Sequence, residues 1–143
     1  MMELMYPTND PALFDAFVNH PDIRGTIEDG NGHVSTAERL SDPDVYGYAC
    51  PTGVCLFFEE APGVFELHGG FIKQGRGAKA LAYTRSAVDH VFSLGQANKV
   101  IARVPRQLPA ARMFCRMLGF KSVGFGADGK LEGFIMEKEK WAV

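Results

Sequence analysis

At 143 residues, with 46% apolar and 22% charged side chains, the chain is the size of one globular domain spanning residues 1–143 and can bury one sizeable core. Its 15 basic and 17 acidic side chains leave a formal charge of −2, which argues against the strongly basic footprint of a general nucleic-acid binder. Cys50, Cys55 and Cys115 form no disulfide framework, the first residues lack the basic start and apolar core of a signal peptide, and no apolar run nears the roughly 20 residues that cross a bilayer; a cytoplasmic protein without a membrane partner is expected.

In chain order, Asp10-Pro11 ahead of Leu13, Phe14, Phe17 and Val18 predicts an N-capped helix with one apolar face. A polar stretch follows in which Asn31-Gly32 marks a turn, and Ser35-Thr36-Ala37-Glu38 has capping-box spacing for a short helix ending near Pro43. Residues 45–50, 54–60 and 64–68 read as strands, and the breaks Pro51-Thr52-Gly53 and Ala61-Pro62-Gly63 are of hairpin length, so an antiparallel meander is expected. Then come a helix over residues 78–94, a strand over 99–104, a helix over 109–118 stopped by Gly119, and strands over 121–125 and 131–138. No repeat or linker divides the series, and the order αα, βββ, α, β, α, ββ implies one mixed sheet covered by helices.

The stretch over residues 64–93 carries the most chemistry. Adjacent glycines are rare inside strands, so Gly69-Gly70 predicts a bulge, or a place where ligand meets main chain; a tight strand end is the plain alternative. The run Lys73-Gln74-Gly75-Arg76-Gly77 before an alanine-rich helix reads as a phosphate cradle, with consecutive N–H donors and charge from Arg76 and from Lys73 or Lys79. The nucleotide-triphosphate P-loop does not fit, for want of a Gly-Lys-Ser/Thr ending, and the dinucleotide fingerprint fails for want of a spaced glycine triplet. Strand alternation puts Glu66, His68 and Gly70 on one face, so either Glu66 or His68 can look into a cleft as a base acting through water.

Other features read more plainly. Ala110, Met113, Phe114, Met117 and Leu118 form an apolar stripe expected in the core, whereas Arg103, Arg106, Arg112 and Arg116 are expected in solvent. Cys50 and Cys55 lack a second pair with metal-ligand spacing, so no metal is expected. Glu59, Glu60 and Glu66 hint at a cationic substrate.

Strand, basic glycine loop, long helix, strand, then a helix ending in Gly119-Phe120 resembles the acyl-CoA-binding core of the GNAT N-acetyltransferase superfamily. The family loop is Arg/Gln, any two, Gly, any one, Gly/Ala, and two registers are open: Gln74, Gly77 and Lys79, or Arg76, Lys79 and Leu81. The second matches divergent phage and prophage members, which also carry a histidine where His68 stands relative to Arg76. The run from Leu108 to Phe120 is similar to the family's following helix, with Leu108 in place of asparagine and Cys115 in place of the tyrosine that protonates the departing thiolate.

The resemblance implies an α/β (α+β) fold: a mixed central sheet, mostly antiparallel with a splayed parallel pair, and helices on both faces. It implies acetyl-CoA as co-substrate, with pantetheine beside Gly69, Gly70, Phe71 and Ile72, and pyrophosphate on Gln74, Gly75, Arg76, Gly77, Ala78 and Lys79. Acetyl transfer to a small-molecule or peptide amine by direct attack would then involve Glu66, His68 and Cys115, in a protein compatible with a homodimer. The rival reading is a silent GNAT-like binding or structural module, such as a phage accessory or virion protein.

Overall fold

The computed structural model describes residues 4–26 and 32–141. Asn31 of the expected turn lies outside them. A seven-stranded sheet has the order β1-β2-β3-β4-β5-β7-β6, with β1 (Tyr6–Pro7), β2 (Val45–Cys50), β3 (Gly53–Ala61), β4 (Val64–Phe71), β5 (Lys99–Pro105), β6 (Lys121–Phe125) and β7 (Leu131–Glu137). The helices are α1 (Pro11–Val18), α2 (Pro21–Arg24), α3 (Ala37–Leu40), α4 (Ala78–Ser93), α5 (Pro109–Leu118) and α6 (Lys138–Trp141). None of the helices of the described residues is long and apolar enough to cross a membrane. The sequence missed β1, α2 and α6, which are too short to carry a periodic pattern.

Period-two alternation divides the core between the two faces of the sheet. On one face α4 and α5 bury Cys55, Phe57, Phe65, Val88, Val91, Val100 and Phe134; on the other α1 and α3 cover Val45, Ala49 and Val54 with Phe14 and Leu40. The small side chains of Ala80, Thr84 and Ala87 bring α4 close to the strands. Local end signals act as expected in two places. Asp10 accepts the Ala12 N–H at 3.0 Å to start α1, and Gly119, at φ +99°, ends α5 in the left-handed conformation.

Three expectations are corrected. The capping box at Ser35-Thr36-Ala37-Glu38 does not form: α3 starts one residue too late for it, with Thr36 and not Ser35 as N-cap, and the Thr36 hydroxyl donates to Asp15 Oδ1 at 2.7 Å instead of capping the helix. Gly69-Gly70 is not a bulge: β4 runs straight through it, pairing Cys55↔Gly69 and Val54↔Gly70, and the register shift falls instead between Glu59 and Ala61. On α5 the stripe is rotated. Ala111, Phe114, Cys115 and Leu118 face the sheet, while Met113 and Met117 are 55% and 54% exposed.

The feature that positions a site is the parallel pair. β4 and β5 share only Val64↔Lys99, Phe65↔Val100 and Glu66↔Ile101. Beyond that β4 keeps β3 through Phe71, and β5 keeps β7 through Pro105. The strands therefore part after Glu66, and among the described residues the side of β4 that faces away from β3 has no strand partner from Leu67 to Phe71.

Candidate functional site

Two sets of residues meet at this opening, one at each end of the free stretch of β4. The first lies on the face of the sheet shared with α1 and α3. Glu66 is only 5% exposed, with its Oε1 at 3.1 Å from Arg103 Nη1 and its Oε2 at 3.6 Å from His68 Nε2. The same Arg103 nitrogen reaches Glu60 Oε1 at 2.9 Å. His68 has a half-exposed side chain, stacked on Phe58 with centroids 4.8 Å apart, and the Arg39 guanidinium lies 4.2 Å from the centre of that Phe58 ring.

This arrangement separates two residues that the sequence ranked level. Burial alone would raise the Glu66 carboxyl, but polar contact with His68 and Glu60 and the charges of His68 and Arg103 outweigh it and bring it down to about 2. So acidic a group is a weak proton acceptor at neutral pH. His68 is the more accessible of the two, beside an ionised partner. Arg103 stays exposed, as expected, but is not free: it pairs with both Glu60 and Glu66, one positive charge against two negative, while Glu59 accepts the Gly63 N–H at 3.1 Å.

The second set follows β4. Ile72 donates its N–H to Thr52 O at 2.9 Å, a single 3-10 turn spans Lys73–Gly75, and α4 begins after Gly77. The first intrahelical bond is Leu81 N–H to Gly77 O, so the amides of Gly77, Ala78, Lys79 and Ala80 are the donors that α4 leaves open. Gly77 sits at φ +93°, ψ −141°, and a Cβ there would meet nothing within 4 Å: the space over the helix start is clear. Backbone donors, a helix dipole and a cleared approach fit an anionic ligand such as pyrophosphate.

The loop residues before Gly77 do something else. A Cβ on Gly75 would come within 2.3 Å of Thr52, so that glycine permits close packing, and its N–H is already bound to Ile72 O at 2.9 Å. Arg76 turns away from the open amides; its Nε donates to Phe71 O at 3.0 Å and its Nη2 to Asp22 O at 2.7 Å. Gly70 lets Ile23 of α2 approach, for a Cβ there would lie 2.9 Å from the Ile23 methyl. Phe71 is buried and faces Phe114 with ring centres 6.5 Å apart, so only its backbone is available to a ligand. The expected cradle over residues 74–79 thus contracts to the amides of Gly77–Ala80, with Gln74 and Lys79 exposed beside them.

Asp22 is a contributor the sequence did not reveal, because nothing local marks it. Its Oδ2 accepts the Lys73 N–H at 2.8 Å across 51 residues. That bond, with the charges of His20, Lys73 and Arg76 against an opposing desolvation, holds the Asp22 carboxyl below its ordinary 3.8. A lowered folded value means the tether is complete above about pH 4 and is lost as pH falls through that lowered value. Exchange of the Lys73 amide is expected to be about tenfold faster in Asp22→Ala than in the parent at neutral pH, and to match it in strong acid. Equal protection at neutral pH would refute the tether.

Cys115 is the residue expected as proton donor. It is buried on the sheet side of α5, and desolvation first, then the neighbouring Glu132 charge, pushes its thiol up to about 11. A thiol so raised is a weaker acid than an unperturbed cysteine. The α5 arginines, expected in solvent, are in part exposed but paired, Arg116 at 43% and Arg112 at 25%. Arg116 Nη2 bonds Glu132 Oε2, Arg112 Nη1 lies 3.5 Å from Glu132 Oε1, and Ser122 donates to Glu132 Oε2 at 2.6 Å. Ser122 first, then Arg116 and Arg112, keep the buried Glu132 carboxyl lowered against desolvation. Arg106 packs its guanidinium 3.8 Å over Phe125 and donates to Gly129 O at 2.8 Å.

A family model described as "Protein of unknown function (DUF2824)" matches residues 7–134. Protein gp14 of Salmonella phage P22 is 27% identical over 122 residues, 82% of this chain and 77% of the phage protein. Among solved structures, a point mutant of the spermidine N-acetyltransferase SpeG from Vibrio cholerae superposes with a TM-score of 0.74 at 14% identity, covering 97% of this chain and 95% of that one. The spermidine N-acetyltransferase from Vibrio cholerae in complex with CoA and spermine gives 0.64 at 14% identity, over 76% and 74%. At such identity the likeness shows the fold, which is that of the GNAT acetyltransferases, and the phage relative agrees with the phage-linked branch that the loop resembles.

Proposed function

The chain belongs to the DUF2824 family, whose description assigns no function, and we propose for it acyl-CoA-dependent N-acyltransfer: movement of an acetyl group from acetyl-CoA to an amine. The observation that carries this reading is the opening between β4 and β5. It exposes an unpaired strand edge that leads straight to four open amides at the start of α4, with His68 and Glu66 on the adjoining face.

Acetyl-CoA would supply an activated thioester, with its phosphates at the amides of Gly77–Ala80 and its arm along β4 from Leu67 to Phe71. A solved GNAT neighbour in complex with CoA and spermine supports that choice and an amine acceptor. In the protein, His68 takes a proton from the incoming ammonium, directly or through one water, so that a neutral amine attacks. Glu66 holds the imidazole and stabilises its charged form. Free backbone N–H groups of β4 are suited to polarising a carbonyl oxygen. With Cys115 buried, the proton that the nitrogen sheds as the C–N bond forms and the C–S bond breaks reaches the leaving thiolate through water at the open end of the cleft.

One observation favours the rival reading of a silent phage module: the family's proton donor is replaced by a buried thiol, in a chain related to a phage protein. Titration calorimetry with acetyl-CoA is expected to show binding in the micromolar-to-millimolar range, and no heat at millimolar ligand would sink the enzyme reading. With binding established, thiol release across a panel of amines, spermidine and peptide N-termini included, is expected to turn over. Binding without release would favour the silent module.

A further inference from the structure

We propose that Arg103 is a positioning residue for acyl transfer: by holding one oxygen of Glu66 it presents the other to His68, which fixes the imidazole proton on Nε2 and leaves Nδ1 as the accepting atom. This rests on the N-acyltransferase reading above.

β4 and β5 last pair at Glu66↔Ile101, and Arg103 stands where the strands have already parted. Alternation puts its side chain on the face of Ile101 and Glu66, while its neighbours Ala102 and Val104 are buried on the opposite face. The core therefore makes no demand for arginine here, and a side chain 46% exposed could have been any polar residue. Instead its Nη1 meets Glu66 Oε1 at 3.1 Å and Glu60 Oε1 at 2.9 Å, joining β5 to both β4 and β3 at the mouth of the opening.

The consequence is geometric. A buried carboxylate able to rotate offers His68 either oxygen in many orientations; with Oε1 held, Oε2 alone faces Nε2, at 3.6 Å. That separation is a charge contact, which closure around a substrate can shorten to a hydrogen bond. Phe58 stacks on the imidazole and is itself covered by Arg39, so the ring plane is fixed as well as its edge. A neutral imidazole facing an ionised carboxylate through Nε2 carries its proton there, which leaves the lone pair on Nδ1. The His68 side chain is 53% exposed, as a proton acceptor awaiting substrate requires.

The test combines nitrogen NMR of the His68 imidazole in alkaline buffer with steady-state kinetics on the full chain. The parent protein is expected to show the Nε2–H tautomer. Arg103→Met is expected to mix the two tautomers and to lower kcat by about 10–100-fold, with acetyl-CoA affinity within about twofold of the parent. Arg103→Lys, which keeps a charge beside buried Glu66 and protects the fold, is expected to shift both readouts part of the way. An unchanged His68 tautomer in folded Arg103→Met, or in Arg103→Lys where that alone folds, overturns the proposal, as does a loss confined to KM. A parent protein that transfers no acetyl group would overturn the acyltransferase reading instead, and the tautomer measurement would still judge Arg103.

Discussion

Replacing His68 with alanine is expected to lower kcat for acetyl transfer by about 10²–10⁴-fold, the usual worth of a positioned general base, with acetyl-CoA affinity close to that of the parent. The expectation follows from the division of labour at the mouth of the cleft. Glu66, brought down to about 2 by its partners, stays ionised and holds; His68, half exposed and stacked on Phe58, is the group an acceptor can touch. Glu66→Gln, which keeps the shape and removes the charge, is expected to cost less than His68→Ala. Initial rates by thiol release at saturating acetyl-CoA decide the order. A larger loss for Glu66→Gln than for His68→Ala would make the carboxylate the base and invert the assignment.

The other large effect is expected at Gly77. Its φ of +93° with ψ −141° is a conformation that side chains larger than hydrogen rarely adopt, although no atom stands in the way of a Cβ. Gly77→Val therefore meets strain and not collision, at about 1–3 kcal/mol. The free protein escapes by letting the start of α4 relax, and ligand binding must then restore the strained form. Acetyl-CoA affinity is expected to fall about 5- to 150-fold by calorimetry, the same free energy expressed as a ratio. Gly75→Val is the informative contrast, since its Cβ would lie 2.3 Å from Thr52. That variant should lose melting temperature first. Unchanged affinity in Gly77→Val would remove the helix start from the binding site.

Much of the fold was legible because its signals are local. Asp10-Pro11 starts a helix, Pro51-Thr52-Gly53 separates two strands, and Gly119 ends α5, each through the conformational preference of the residues themselves. The double glycine misled because its reason lies elsewhere in the chain. Gly69 and Gly70 stay in a regular ladder held by Cys55 and Val54, and Gly70 is small to admit Ile23. Site residues followed the same divide. Gly77, Glu66 and His68 could be named from spacing, whereas Arg103 and Asp22 acquire their roles from partners 37 and 51 positions away. Strand alternation isolates Arg103 from the core but cannot say that Glu66 is its neighbour. The pairing of the α5 arginines was missed for the same reason, since Glu132 lies on another strand.

The bond from Asp22 to the Lys73 amide, with Arg76 returning to Asp22 O, bears on how the chain can be divided. The motifs that resemble the family fall between residues 64 and 125, and a fragment cut to that span would keep every one of them. It would also lack α2, the outside anchor of the turn that leads into α4. Truncation or exchange of the first forty residues should accordingly degrade ligand capture without altering a single motif position, and grafts between relatives should succeed only when α2 travels together with the loop it grips.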